Sequence, residues 1–156
     1  MTDDSLIKQS LESAKTIAIV GASAVKEGEI LAKTRLKPSI IVMKYLLEFG
    51  YKVIPVNPFS KGKKVNGEVI VEKLEDISTT IDIINVFRPS KETPEIAKQA
   101  VKLGAKTLWL QFGIKNTETE RISNSAGITC IMNKCIKQEY QRLFLKVNPV
   151  FPALKN

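Results

Sequence analysis

The stretch Thr-Ile-Ala-Ile-Val-Gly-Ala-Ser, residues 16–23, decides the fold of this chain. Its apolar, β-branched first half predicts a buried parallel strand, because strands covered on both faces read as continuous apolar runs. The strand ends at Gly21, and two small residues, Ala22 and Ser23, follow. We expect bare backbone N–H groups and the Ser23 hydroxyl to face an anion there. The stretch therefore predicts a phosphate-holding turn and a nucleotide-like ligand.

The size and composition of the chain predict one domain with a core of its own, since 44% of its 156 residues are hydrophobic. We assign residues 1–147 to this domain and 148–156 to a C-terminal tail. The first residues are polar, and no apolar run approaches the roughly 20 residues of a membrane-spanning helix. We therefore expect a soluble, cytoplasmic protein without a membrane partner.

The absence of histidine argues against a metal site, as does the spacing of the two cysteines, Cys130 and Cys135, which form no C-x-x-C motif. The 24 basic and 16 acidic residues give a formal net charge of +8, which favours an anionic partner. Aromatic residues make up only 6% of the chain and are not interleaved with the basic ones, which disfavours nucleic acid. A phosphorylated small molecule is the favoured partner, and a generally basic solvated surface is the alternative.

Strand-like and helix-like segments alternate along the chain. Strands are predicted at 16–21, 52–56, 81–87, 107–111 and 128–132, and helices at 5–14, 38–50, 94–103, 117–126 and 137–145. This order predicts an α/β fold, a Rossmann-like doubly wound parallel sheet of about five strands with helices on both faces. Such sheets bind ligands at the carboxyl ends of their strands. The residues at these ends are Gly21-Ala22-Ser23, Val56-Asn57-Pro58, Phe87-Arg88-Pro89, Gln111-Phe112-Gly113 and Met132-Asn133-Lys134-Cys135.

The usual dinucleotide motif, G-x-G-x-x-G with an acidic residue about 20 positions later, is absent. The turn here reads Gly-Ala-Ser-Ala-Val-Lys-Glu-Gly over 21–28, without the second glycine, and the second strand ends at Asn57. Both departures disfavour NAD, which remains the alternative ligand. Three cations follow that strand instead, Lys61, Lys63 and Lys64, and they suit a ligand with an additional phosphate.

Five motifs stand in order at the strand ends. They are Ile-Ala-Ile-Val-Gly-Ala-Ser (17–23), Gly-Tyr-Lys-Val-Ile-Pro-Val-Asn-Pro (50–58), Asp-Ile-Ile-Asn-Val-Phe-Arg-Pro-Ser (82–90), Leu-Trp-Leu-Gln-Phe-Gly-Ile (108–114) and Ile-Met-Asn-Lys-Cys-Ile-Lys (131–137). These motifs resemble those of single-domain coenzyme A-binding proteins, which are similar to the nucleotide-binding domain of the succinyl-CoA synthetase α subunit. The resemblance covers most of the chain and implies coenzyme A (CoA) or an acyl-CoA as ligand.

The resemblance also implies roles for the first four strand ends, and we expect Val56, Asn133 and Lys134 to belong to the same cofactor site. It implies that Gly21, Ala22 and Ser23 hold the pyrophosphate and that Asn57, Pro58 and Lys61 line the adenosine side. It also implies that Phe87, Arg88 and Pro89 flank the nucleotide and that Gln111 and Gly113 face the pantetheine arm. The chain departs from the family pattern at two places. Residues 24–36 are rich in charge, which leaves open whether Lys26, Lys33 or Arg35 reaches a phosphate. Residues 133–135 read Asn-Lys-Cys where the family usually has Asp-Arg-Cys.

The strand ends offer binding groups but neither a histidine nor a carboxylate pair, so the sequence favours a binding or regulatory protein over an enzyme. The alternative is chemistry at Cys135, which follows the fifth strand beside the cation of Lys134. A thiol there is a candidate for exchange with the CoA thiol or for partner-dependent acyl transfer. Cys130 lies inside the strand and is expected to be buried. A homo-oligomer or a partner protein remains open.

Overall fold

The computed structural model of the chain describes residues 3–24 and 37–145. Lys26, Lys33, Arg35 and the predicted tail at 148–156 lie outside the described residues. Five parallel strands form the main sheet, in the order β2-β1-β5-β6-β7, and a separate antiparallel hairpin pairs β3 with β4. The strands are β1 (Thr16–Val20), β2 (Lys52–Val56), β3 (Lys64–Val65), β4 (Glu68–Val69), β5 (Ile83–Val86), β6 (Thr107–Leu110) and β7 (Thr129–Ile131).

The helices are α1 (Asp4–Ser13), α2 (Pro38–Glu48), α3 (Thr93–Leu103), α4 (Thr117–Ser125) and α5 (Ile136–Tyr140), which continues as a π-helical turn over Gln141–Leu145. Short 3-10 turns lie at Pro58–Ser60, Leu74–Asp76 and Ser90–Glu92. The predicted Rossmann-like α/β fold with five parallel strands is confirmed. The closing helix, predicted over 137–145, is α-helical only as far as Tyr140.

Hydrophobic side chains cover the two faces of the sheet with separate cores. On one face, Ile17, Ile83 and Trp109 pack with residues of α1, α2 and α5. On the other, Ile84 and Leu108 pack with residues of α3 and α4. Neighbouring residues of a strand point to opposite faces, and both faces here are apolar. This explains why the strands read as continuous apolar runs in the sequence.

The hairpin of β3 and β4 is not among the predicted elements, although Asn66-Gly67 between its strands is a sequence signal for a two-residue turn. Both residues have positive φ angles, 50° and 83°, as such a turn requires. The Asn66 side-chain amide donates to the carbonyl oxygen of Ile40 at 3.1 Å, and Val65 is buried. The hairpin is thereby attached to the first turns of α2.

The order of the strands opens a crevice between β1 and β5. From β1, one neighbour in the sheet is β2 and the other is β5, so the connections run outward in opposite directions. Ligands of open α/β sheets bind at such a switch point, outside the carboxyl ends of the two strands. The residues that follow β1 and β5 are therefore the ones expected to line a site.

Candidate functional site

Gly21 and Arg88 meet at the carboxyl ends of β1 and β5. Gly21 has a φ of +89°, and a Cβ atom added to it would lie 2.9 Å from Cδ of Arg88 and 3.0 Å from the carbonyl oxygen of Phe87. The Phe87 N–H donates to the carbonyl oxygen of Val20 at 2.8 Å, which fixes this spacing. Glycine is required here by both the backbone conformation and the close approach of the neighbouring strand end.

The backbone N–H groups of the turn are not bare, so that part of the sequence prediction is wrong. Gly21 and Ala22 both donate to the carbonyl oxygen of Val56, at 2.9 and 3.2 Å. The Ser23 N–H donates to the hydroxyl oxygen of Ser39 at 3.1 Å. An anion at this turn therefore has to be bound by other donors.

The start of α2 lies beside the turn, because the bond from Ser23 joins it to Ser39 in the first turn of that helix. The helix begins with Pro38, and the residue before it, Lys37, provides no side-chain cap. The first N–H groups of a helix lack partners within the helix, and its dipole adds partial positive charge there. This end of α2 thus favours an anion next to Ser23.

Asn57 is committed to holding two strand ends together. Its Nδ2 donates to the carbonyl oxygen of Ala22 at 2.8 Å, and its Oδ1 accepts from the Phe59 N–H at 2.9 Å. A carboxylate at this position could not donate to that carbonyl and would repel it. The amide that the sequence shows where an NAD site needs an acid is therefore explained by the structure of the turn.

Arg88 is held by a carboxylate that the sequence prediction missed. Its Nε and Nη2 donate to the two oxygens of Glu92, at 3.0 and 2.8 Å. Both side chains are about three-fifths buried, with exposed fractions of 37% and 40%. The hydrogen bonds from Arg88 lower the pKa of Glu92 below its ordinary value. The i,i+4 spacing of Arg88 and Glu92 was the available sequence signal. Such pairs are typical of α-helices, whereas this pair spans a 3-10 turn.

Three of the other predicted residues near β2 and β5, Lys61, Pro58 and Pro89, lie toward solvent, whereas Phe87 is half-buried and packs against the core. Lys61 is 67% exposed, and its ammonium group lies 3.2 Å from a Glu72 carboxylate oxygen. Pro58 and Pro89 are exposed at the starts of their turns. Val56 has a buried side chain, and its carbonyl oxygen accepts hydrogen bonds from the N–H groups of Gly21 and Ala22.

The side chain of Gln111, which the resemblance places against the pantetheine arm, is buried, with an exposed fraction of 6%. Its Oε1 accepts from Nδ2 of Asn85 and from the backbone N–H of Ile136, both at 3.3 Å. It thus connects β5, the end of β6 and the first residue of α5. Gln111 supports the sheet rather than presenting a group to a ligand.

The ends of β6 and β7 are joined in the same way. The Gly113 N–H donates to Oδ1 of Asn133 at 2.7 Å, and Asn133 has a left-handed φ of 60°. The Lys134 carbonyl oxygen accepts from Nε1 of Trp109 at 2.8 Å. Cys135 follows as the residue before α5, is half-buried and packs against the core.

Two phenyl rings stand in solvent at the same edge of the sheet and were not among the predicted site residues. Phe59 follows β2 and is 85% exposed, and Phe112 follows β6 and is 73% exposed. Large exposed aromatic rings beside a polar crevice are suited to contact a flat or apolar part of a ligand. An aromatic residue in the loop that follows a strand end was the sequence signal.

Residues 3–24 and 37–145 contain no group of three or more Cys, Asp or Glu side chains placed to hold a metal ion. None of the helices in these ranges has the length and apolar character to cross a bilayer. The described edge of the sheet thus offers Arg88, the start of α2 and two exposed rings. Such an arrangement can bind an anion with an attached aromatic or apolar group.

The sequence profile of a family described as "CoA binding domain" matches residues 15–141 of the chain. The chain belongs to the CoA binding domain family. The resemblance drawn from the five strand-end motifs is thereby confirmed, and the family boundaries include every strand of the main sheet.

Relatives of this CoA binding domain protein fall into two groups by length. The uncharacterized protein YneT of Bacillus subtilis is 35% identical over 131 residues, covering 84% of this chain and 89% of YneT. A hypothetical protein from Pyrococcus horikoshii has a solved structure that is 37% identical, with a TM-score of 0.78 and coverage of 91% and 92%. An ADP-forming acetate–CoA ligase of Methanocaldococcus jannaschii is 29% identical over 92 residues, which are 59% of this chain and 12% of the ligase.

Proposed function

We propose that this protein binds coenzyme A or an acyl-CoA in the crevice between the ends of β1 and β5, as a binding or regulatory protein. The observation that carries the proposal is the contact of Gly21 with Arg88. It brings a guanidinium group to the switch point of the sheet, where open α/β sheets bind nucleotides. Membership of the CoA binding domain family supports the same ligand.

The donors in this proposal differ from those that the sequence suggested. The pyrophosphate meets Arg88 and the start of α2 instead of the turn N–H groups, which are occupied by Val56 and Ser39. Arginine suits this role because its guanidinium offers planar, paired donors to phosphate oxygens. The net charge of +8 adds long-range attraction for an anionic ligand.

NAD is the weaker candidate because Asn57 replaces the acid that would hold the ribose hydroxyls. Both polar atoms of its side chain are hydrogen-bonded within the protein. The Asn57 side chain at the end of β2 therefore gives no support to NAD as the ligand. The acetate–CoA ligase resembles this chain over only 12% of its own length, so its reaction is not transferred to this protein.

Isothermal titration calorimetry with CoA, dephospho-CoA and NAD tests the proposal. We expect CoA to bind more tightly than NAD, and Arg88→Ala to weaken CoA by about 1.5–3 kcal/mol, the range for a hydrogen bond to a charged group. Arg121→Ala is the matched control, since Arg121 forms an exposed i,i+3 pair with Glu118 on α4. NAD binding as tight as CoA, or equal losses for the two arginine variants, would contradict the proposed site.

A further inference from the structure

The proposed function leaves one group at the crevice unexplained, the carboxylate of Glu92. It is the only acid hydrogen-bonded to Arg88 within the described residues, and it takes two of the five N–H donors of the guanidinium. An acid beside a phosphate site costs electrostatic energy. We therefore expect the Glu92 carboxylate to make a favourable contribution to ligand binding that offsets this cost.

The two bonds occupy one particular edge of the guanidinium. Nε and Nη2 face Glu92, and no acceptor among residues 3–24 and 37–145 takes the edge formed by Nη1 and the second Nη2 hydrogen. The aliphatic part of Arg88 lies over Gly21. The group is thus fixed at its Cδ by the turn and at its Nε edge by the carboxylate, and a planar guanidinium held at both places has one orientation.

The backbone that carries Glu92 is itself well anchored. The Glu92 N–H donates to the carbonyl oxygen of Pro89 at 2.9 Å, closing the 3-10 turn. The next residue, Thr93, is fully buried, and its hydroxyl lies 2.7 Å from that of Thr119 and donates to the Ser90 carbonyl oxygen at 2.8 Å. The anchored backbone therefore restricts the position of the Glu92 carboxylate. In an exposed surface ion pair, both side chains are mobile and neither is restricted in this way.

We propose that Glu92 is a positioning residue for Arg88, which holds the guanidinium with its free edge toward the pyrophosphate of the bound CoA. The inference rests on the proposed function and adds the residue that prepares the site before the ligand arrives. The gain is the side-chain entropy that Arg88 no longer loses on binding. The pyrophosphate, which CoA and dephospho-CoA share, is the group that this edge recognises.

Binding of CoA and dephospho-CoA to Glu92→Ala and Glu92→Gln tests the inference. Ordering one long side chain costs about 0.5–1.5 kcal/mol, so we expect Glu92→Ala to weaken both ligands about 2- to 12-fold. Glu92→Gln keeps one acceptor but loses the charge, and its affinity for both ligands is expected to lie between those of the alanine variant and wild type. In the Arg88→Ala background, Glu92→Ala should have no further effect.

Glu95→Gln is the matched control, because it removes the same charge from an exposed ion pair with Lys98 one turn further on. Thermal unfolding of each variant shows whether the fold is intact. A signal from the Arg88 Nε–H in NMR spectra of the ligand-free protein, protected from exchange in wild type and lost in Glu92→Ala, reports the positioning independently of any ligand.

Tighter CoA binding by Glu92→Gln than by Glu95→Gln would show that the carboxylate competes with phosphate and would overturn the inference. Unchanged binding in both Glu92 variants would overturn it as well. If wild type failed to bind CoA while the Nε–H signal was protected, the proposed function would be contradicted. Glu92 would then still position Arg88, but not for CoA.

Discussion

The side-chain amide of Asn57 donates a hydrogen bond of 2.8 Å to the backbone carbonyl oxygen of Ala22, and so connects the ends of β2 and β1. Ala22 is almost fully buried, so its carbonyl has little access to water in place of the amide. The shape of the turn therefore depends on a residue that lies 35 positions further along the chain.

Asn57→Ala should destabilise the protein by about 1–3 kcal/mol, because it leaves a buried carbonyl without its donor and removes the cap of the Pro58–Ser60 turn. Urea unfolding measures the change. Asn124→Ala on the exposed side of α4 is the control. A loss no larger than that of the control would mean that the Ala22 carbonyl does not need this bond.

Gly21→Ala should destabilise the protein for two reasons: alanine disfavours the φ of +89°, and the added methyl group would lie too close to Arg88 and the Phe87 carbonyl oxygen. Substituting a residue with a left-handed conformation costs about 1–2 kcal/mol, and overpacking adds about 1–3 kcal/mol. Gly127→Ala is the matched control, with a φ of +77° and nothing within 4 Å of the new Cβ. Equal losses of unfolding free energy in the two variants would exclude the steric contribution.

The sequence predicts the sheet well because burial on both faces makes each central strand a short, continuous apolar run, and Gly21 or Gly113 follows soon after the runs at Ile17–Ile19 and Leu108–Leu110. The direction of Gln111 follows from the alternation of side chains along a strand, which the role implied by the family resemblance did not take into account. Gln111 lies two residues after Trp109 and so points to the same face, into the core with Asn85. The occupation of the turn N–H groups by Val56 depends on the register between β1 and β2, which no local pattern encodes.

The Asp82 carboxylate should make the stability of the protein sensitive to acid. Burial would raise its pKa, but hydrogen bonds from the backbone N–H groups of Thr16 and Lys15 outweigh this, and the pKa lies below its ordinary value. A depressed pKa stabilises the fold fully above the unfolded value of about 3.9, and the contribution is lost as pH falls through the folded value.

Asp82→Asn should therefore be less stable than wild type near neutral pH, and the gap should narrow below about pH 4. Thermal unfolding across pH 2–7 follows this difference, with Glu75→Gln on the exposed Leu74–Asp76 turn as the control. A gap that stays constant over this range would show that the carboxylate contributes through its shape and not its charge.

Lys61 should distinguish CoA from dephospho-CoA, if it pairs with the 3′-phosphate of the ribose as its place after β2 predicts. It is 67% exposed and lies 3.2 Å from Glu72, so the ligand has to attract it away from a weak surface pair. Lys61→Ala is expected to weaken CoA but leave dephospho-CoA nearly unchanged in calorimetry. The control is Lys102→Ala on α3, which is also exposed. Equal losses for both ligands would assign Lys61 to another part of the site.

Cys135 is the thiol that we expect to exchange with CoA disulfide, and Cys130 is the internal control. Cys130 is 5% exposed, and burial raises the pKa of its thiol to about 11. Cys135 is half-buried at the residue before α5, on the edge of the sheet where the strand ends meet. Attack of the Cys135 thiolate on CoA disulfide would form a protein–CoA mixed disulfide and release one CoA thiol.

Intact mass after incubation of wild type, Cys135→Ser and Cys130→Ser with CoA disulfide checks this exchange. We expect one CoA adduct on wild type and Cys130→Ser and none on Cys135→Ser. Oxidised glutathione at the same concentration serves as a comparison, because it lacks the nucleotide and should react more slowly if binding in the crevice delivers the disulfide. No adduct on wild type, or an adduct that persists without Cys135, would leave Cys135 a residue of the core edge and the protein a binder of CoA without thiol chemistry. Equal rates with the two disulfides would show that binding in the crevice does not deliver the disulfide to Cys135.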